Sequence, residues 1–211
     1  EKGGLMLEKL IVMVEELSME TALESLLPKM LGEVNFQIIR FQCKDDLLKQ
    51  LPDRLRGYQS WLPPNWAIIV LIDRDDDDCS ILKQELENIA AKAGLVTKTH
   101  AGIGHPFSVA NRIAIEELEA WYFGDWPAVQ TAYPRVSATV PQRASFRDPD
   151  AILGGTWEAF ERELKKGGYF KMGLRKVMCA REIAPHMDIT ANRSKSFQAF
   201  HAAVSSAVAW R

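Results

Sequence analysis

The segment Trp66-Ala67-Ile68-Ile69-Val70-Leu71-Ile72 runs directly into Asp73-Arg74-Asp75-Asp76-Asp77-Asp78. A strand with one solvated face alternates apolar and polar residues. This one does not alternate, so it is expected to be buried on both faces, as in a parallel sheet covered by helices on either side. A buried strand that ends in acids places carboxylates at the edge of that sheet. Leu10-Ile11-Val12-Met13-Val14 is a second continuous apolar run, and it ends at Glu15-Glu16.

Helical and extended signals alternate around these two strands. Ser18 is a plausible N-cap for a helix carrying Glu20, Leu23, Leu26 and Leu27, with Pro28 in its last turns. Residues 34–41 read as a strand, and Asp45 or Asp46 opens a helix with Leu47, Leu48, Leu51 and Leu55 on one face. Pro63-Pro64 breaks the chain. A helix from about Cys79 to Ala93 stops at Gly94. Residues 95–99 read as a fourth short strand, 102–107 as a loop, and 116–126 as one helix. The alternation predicts an α/β fold with a mainly parallel sheet and right-handed crossovers. After Pro127 the pattern changes to an irregular, proline-punctuated stretch, and helices resume at about 157–166, 174–184 and 196–209. The expected organisation is an α/β domain over 1–134 and a basic, mostly helical extension over 135–211 packed on it.

Charge divides along the same line. Of 26 Lys and Arg and 28 Asp and Glu, residues 1–134 hold 13 and 21, and residues 135–211 hold 13 and 7. An acidic front suits cation-binding carboxylates, and a basic back suits a polyanion. With 47% hydrophobic residues the chain is globular rather than disordered. No apolar run approaches the roughly 18 residues of a membrane-spanning helix. Cys43, Cys79 and Cys179 form neither a paired metal motif nor a disulfide framework, which favours a reducing, cytoplasmic setting. They have no paired histidine for nucleophilic work, and no Walker phosphate loop is present.

In an open parallel sheet, ligands bind at the carboxyl ends of the strands. Glu15 ends the first apolar strand, and Asp73 and Asp75 end the strongest one. Converging carboxylates repel, and a hard divalent cation relieves that repulsion; oxygen donors suit Mg²⁺ or Mn²⁺. Asp76, Asp77 and Asp78 are expected to complement the start of the next helix. Glu116 and Glu119, three apart, share one helical face, while Glu117 points elsewhere. Among basic residues, Arg74 and Arg112 flank the acids. Lys165 and Lys166 precede Tyr169-Phe170, and Arg193 and Lys195 lie in a turn before the last helix; such groups hold phosphates. His105, in Gly102-Ile103-Gly104-His105-Pro106, is placed near the strand ends as a possible substrate contact.

Val14-Glu15-Glu16 and Leu71-Ile72-Asp73-Arg74-Asp75 resemble the Toprim superfamily, in which a Glu and an Asp-x-Asp at strand ends coordinate Mg²⁺. The first also resembles the Val-Glu-Gly-x-x-Glu form of OLD-type nucleases, with Glu20 matching the last Glu and Glu16 standing where that form has Gly. A closer similarity is to the bacterial domain-of-unknown-function family 4276, a Toprim-like group. It is carried by Phe41-Gln42-Cys43-Lys44-Asp45-Asp46-Leu47, Leu55-Arg56-Gly57-Tyr58, Asp73 to Asp78, Glu117-Leu118-Glu119-Ala120-Trp121-Tyr122-Phe123-Gly124-Asp125, and Asn192-Arg193-Ser194-Lys195-Ser196-Phe197. Glu119 and Trp121 also match the Glu-x-Trp of RloB-like relatives. The resemblance implies a Mg²⁺- or Mn²⁺-dependent nuclease of phage defence, often encoded beside an ABC-type ATPase. Glu15, Asp73, Asp75 and Glu119 are its implied catalytic and metal residues, with Glu20 a further ligand and Glu16 and Asp77 in reserve. DNA and RNA both remain open as substrates. So does a non-catalytic role as partner subunit of an ATPase.

Overall fold

The computed structural model describes residues 6–75, 77–114 and 117–209. Strand β1 (Lys9–Val14) leads through helix α1 (Leu17–Leu31) to β2 (Asn35–Arg40), and through α2 (Lys44–Gln59) to β3 (Trp66–Asp73). Helix α3 (Cys79–Lys92) and the single-turn α4 (Lys98–Ala101) lead on to β4 (Val109–Ala114). Then come α5 (Glu117–Gly124) and α6 (Trp126–Ala132), two short 3₁₀ turns, and the helices α7 (Thr156–Lys166), α8 (Lys176–Ile183) and α9 (Lys195–Ala209).

The sheet is parallel throughout, in the order β2-β1-β3-β4. From β1 the chain moves outward to β2; from β2 and from β3 it moves the other way. The direction therefore reverses between β1 and β3, and the crevice outside their carboxyl ends is where such a sheet binds ligands. Both of these strands end in acids.

The unbroken apolarity of β3 follows from its place in the sheet. None of its residues Ile68 to Ile72 is more than 2% exposed. Alternate side chains divide between two cores, as the two-residue period requires. Ile69 and Leu71 pack with Val12 and Val14 under α1, α5, α8 and α9. Ile68, Val70 and Ile72 pack with Met13 under Leu47, Leu51 and Leu55 of α2 and Leu82 and Leu86 of α3. Each large apolar side chain so buried contributes roughly 1.5–3 kcal/mol. Helix α9 belongs to the first face: Phe197, Phe200, Val204 and Ala207 join the same cluster as Val12 and Ile69. The carboxyl-terminal helices thus complete the cover of the sheet.

Three expectations are corrected. Residues 95–99 do not form the fourth strand; Thr97 makes one isolated bridge to Val109, and its hydroxyl then accepts the His100 amide at 3.1 Å, capping α4. The fourth strand is β4, whose polar Asn111 and Arg112 mask its apolar signal. The helix expected over 116–126 is two, because Asp125 leaves helical geometry and accepts the Ala128 amide to start α6. His105 lies in the loop that enters β4, at the amino edge of the sheet, away from the strand ends that carry the acids.

Among the described residues no helix is long and apolar enough to cross a membrane. All three cysteines are free thiols.

Candidate metal centre

Four elements bring acids to the carboxyl edge. Glu15 follows β1, Asp73 closes β3, Glu117 and Glu119 open α5, and Asp75 and Asp77 follow Asp73 in the turn before α3. Glu15, Asp73 and Glu119 are buried, at 7%, 5% and 1% exposure. An open cleft of about 460 Å³ reaches Glu15, lined also by Glu16, Gln42, Lys44, Asp75 and Asp77.

One oxygen of Glu15 accepts the backbone amide of Asp73 at 2.5 Å, which ties the end of β1 to the end of β3. Burial nonetheless pushes the Glu15 carboxyl up to about 7, and the charge of Asp75 adds to the rise. Asp73 is raised well above its ordinary range by burial, then by the charges of Glu15, Glu16, Glu119 and Glu117. Burial raises Glu119 too, and takes Glu117 to about 7. Glu117 Oε2 and Glu119 Oε2 are buried with no hydrogen-bond partner. Asp75 and Glu117 both hold left-handed backbones, φ 50° and 68°. Non-glycine residues in that region cost about 1–3 kcal/mol and gather at functional sites.

Two lysines face this charge. Lys44, the first residue of α2, donates to Asp75 Oδ2 at 2.5 Å, Asp77 Oδ2 at 2.9 Å and the Arg74 carbonyl at 3.0 Å. Burial works against its charge, but those acids outweigh burial and hold it above the ordinary lysine range. On the other side Lys176, the first residue of α8, lies 3.8 Å from Glu117 Oε1 and over the Trp157 ring. Burial opposes its charge as well; Glu119 and Glu117 outweigh it. The sequence reading passed over both lysines as site residues. Lys44 was nevertheless visible as the one cation at the head of an otherwise acidic first turn, Lys44-Asp45-Asp46. Lys176, distant in sequence, gave no signal.

The residues expected at the site fall into groups. Glu15, Asp73, Asp75 and Glu119 come together, joined by Glu117, which faces the cluster rather than away from it. Glu20 turns to Arg40, 2.8 Å from its Nε. Asp78 caps α3, accepting the amides of Ser80 and Ile81. Asp76 and Glu116 lie outside the described residues. Arg74 stands beside the acids by adjacency. Arg112 and Lys195 line a separate groove of about 240 Å³ between α3, β4 and α9, together with Lys83. Lys165 and Lys166 sit at the far end of α7, about 12 Å along the axis from Trp157, and pair with Glu161 and Glu163.

The turn Asn192 to Ser196, expected to contact phosphate, has its backbone amides at Arg193 and Lys195 and its Asn192, Ser194 and Ser196 side chains engaged within the fold, while the Arg193 and Lys195 side chains are exposed. Asn192 Nδ2 donates to the Trp121 carbonyl at 2.9 Å, the Arg193 amide to the Gly124 carbonyl at 2.9 Å, and the Trp121 indole to Ser196 Oγ at 3.1 Å. Asp150 accepts from both serine hydroxyls and from the Lys195 amide. A Cβ on Gly124 would stand 2.1 Å from Asn192 Oδ1, so only glycine lets this turn close on α5. The turn fixes the helix that carries Glu117 and Glu119.

The donor set suits a hard divalent cation: every donor is a carboxylate oxygen, several are buried, and two lack partners. Among the described residues no three His, Cys, Asp or Glu side chains already converge as a cage. The chemistry of these donors fits such an ion.

A doubly covered parallel sheet with a buried acidic cluster at its switch point defines an α/β protein with a candidate cation site. The chain belongs to the family described as Domain of unknown function (DUF4276), whose model matches residues 14–205. No curated protein and no solved structure matches it.

Proposed function

We propose that this protein is a Mg²⁺- or Mn²⁺-dependent phosphodiesterase of Toprim type, acting on nucleic acid. The observation that carries this reading is the buried, mutually repelling set Glu15, Asp73 and Glu119, with an orphaned oxygen on Glu119. Burying ionised carboxylates without partners costs several kcal/mol, so a fold that assembles them at its ligand-binding edge is built for a cation.

Glu15, Asp73 and Glu119 would hold the ion, with Glu117 beside them. When bound, it would polarise a phosphoryl oxygen and lower the pKa of a water. The chain's own residues supply the remainder. Lys176, kept charged by its acidic neighbours, would be available to a phosphate oxygen beside Glu117. Lys195, exposed in the groove it lines with Arg112 and Lys83, offers a contact for the polymer backbone.

The test is cleavage of labelled DNA and RNA by the purified chain with Mg²⁺ or Mn²⁺, beside Asp73→Asn. Metal-dependent cleavage that the variant loses supports the reading and identifies the polymer. The lack of a ready cage among the described residues favours a second reading, in which the chain is the non-catalytic partner of an ATPase. No cleavage and no metal binding would put that reading first.

A further inference from the structure

We propose that the ammonium of Lys44 permanently fills one of two cation positions in the acidic cleft, leaving room for a single exchangeable divalent ion, and that Asp75 and Asp77 serve this lysine rather than the metal. The inference rests on the metal-dependent reading above and narrows it. A lysine ammonium has three donors and no acceptor. Here three oxygens meet it, from Asp75, Asp77 and the Arg74 carbonyl, at 2.5, 2.9 and 3.0 Å. The side chain is 13% exposed, and its donors match its acceptors one for one. Its position at the first residue of α2 opposes the helix dipole, so these oxygens have to hold it there.

The left-handed backbone at Asp75 accompanies this contact. It breaks the extended geometry that would have pointed Asp73 and Asp75 the same way. The cluster is thereby divided. Asp75 and Asp77 have a cation already, whereas Glu119 Oε2, in a residue 1% exposed, has no partner. An Asp-x-Asp pair at a strand end normally reads as two ligands of one metal site. Here the geometry assigns Asp73 to the metal and Asp75 to the lysine.

Mn²⁺ binding to the full chain tests this, with free Mn²⁺ followed by electron paramagnetic resonance and no substrate present. Wild type is expected to bind one ion per chain. Asp73→Asn should weaken that binding on the order of a hundredfold, whereas Asp75→Asn, which touches the ion only through its surroundings, should stay within about tenfold. Lys44→Met should expose the second position and bind two ions. Two ions bound by wild type, or Asp75→Asn losing the ion as fully as Asp73→Asn, would overturn the inference while leaving the metal-dependent reading intact. No binding by wild type would overturn both. Should Lys44→Met fail to fold, the contrast between the two aspartate variants decides alone.

Discussion

Helix α5 has a buried polar cluster at each end, and the two are built in opposite ways. At its carboxyl end the Trp121 and Gly124 carbonyls, the Trp121 indole, Asn192, Ser194, Ser196 and Asp150 form a network in which each of these groups has a partner. At its amino end Glu117 and Glu119 each bury an oxygen with no partner, and Glu117 holds a left-handed backbone. Satisfied buried networks rigidify, and partly satisfied ones carry a cost. The matched end therefore anchors the helix, and that anchoring lets the fold tolerate the unmatched end. Trp121, stacked on Phe200 and edge-on to Phe197, strengthens the anchor from the apolar side.

The largest effect expected from breaking this contrast is on activity. On the proposed metal-dependent reading, Asp73→Asn and Glu119→Gln should each lower cleavage on the order of a thousandfold, since the cation would supply several kcal/mol of transition-state stabilisation. Neither should lower the melting temperature of the metal-free protein, because each removes a charge that burial and its neighbours disfavour. A clear fall in melting temperature for both variants would show that these acids stabilise the fold.

Substitution at the other end should do the reverse. Trp121→Ala should cost about 3–5 kcal/mol in denaturant unfolding. Gly124→Ala, driven against Asn192 and Ser194, should be severe as well. Neither residue lines the cleft. Full stability in Gly124→Ala would mean that the turn does not need its close approach to α5.

Much of this was legible in the sequence, for physical reasons. Continuous apolarity cannot face water, so Trp66–Ile72 dictated a sheet covered on both faces, and the acids after it had to stand at the carboxyl edge. β4 was not legible, because its Asn111 and Arg112 face local partners at the sheet edge: Asn111 donates to Glu87, and Arg112 to carbonyls of Asn111 and Ala199. The hydrogen bonding of Asn192–Phe197 within the fold was not legible for a related reason. A polar turn before a helix looks the same in sequence whether it meets a phosphate or, as here, Asp150. Glu117 was read as facing away because regular helical spacing was assumed, and its left-handed backbone breaks that spacing at the first residue. Lys176 reaches the site through packing between distant helices, which no local pattern encodes.

Acidity gives a third way to sharpen the contrast. Glu15 and Glu117 are raised to about 7 in the fold from an ordinary value of 4.5. An acid raised in the folded state binds its proton more tightly there than in the unfolded chain. Stability is therefore fully present below 4.5 and is lost as pH climbs through about 7. The metal-free protein should lose on the order of 5 kcal/mol between about pH 5 and about pH 8. Saturating Mg²⁺ should restore most of it at the upper end, where the acids are ionised. Thermal melts with and without Mg²⁺ measure both; a melting temperature that rises over this range would contradict the raised acids.

The smallest expected effect separates two sets of lysines that composition alone treats alike. Lys195 lines the groove beside Arg112 and is exposed there, whereas Lys83 in the same groove pairs with Glu87 on its own helix at 2.9 Å. Lys165 pairs with Glu161 one turn back on its own helix. If nucleic acid follows the groove, each groove lysine that meets a phosphate releases a counterion. Its removal should then reduce the slope of log affinity against log salt by about one. Lys165→Ala should leave that slope unchanged and alter stability by less than about 1 kcal/mol, as exposed helix pairs do. Fluorescence anisotropy of labelled DNA and RNA, with Ca²⁺ in place of Mg²⁺ to hold back cleavage, reads the slope directly. Equal slopes for Lys195→Ala and wild type would take the polymer off the β4 edge. A changed slope for Lys165→Ala would move its path to the far end of α7, away from the acids.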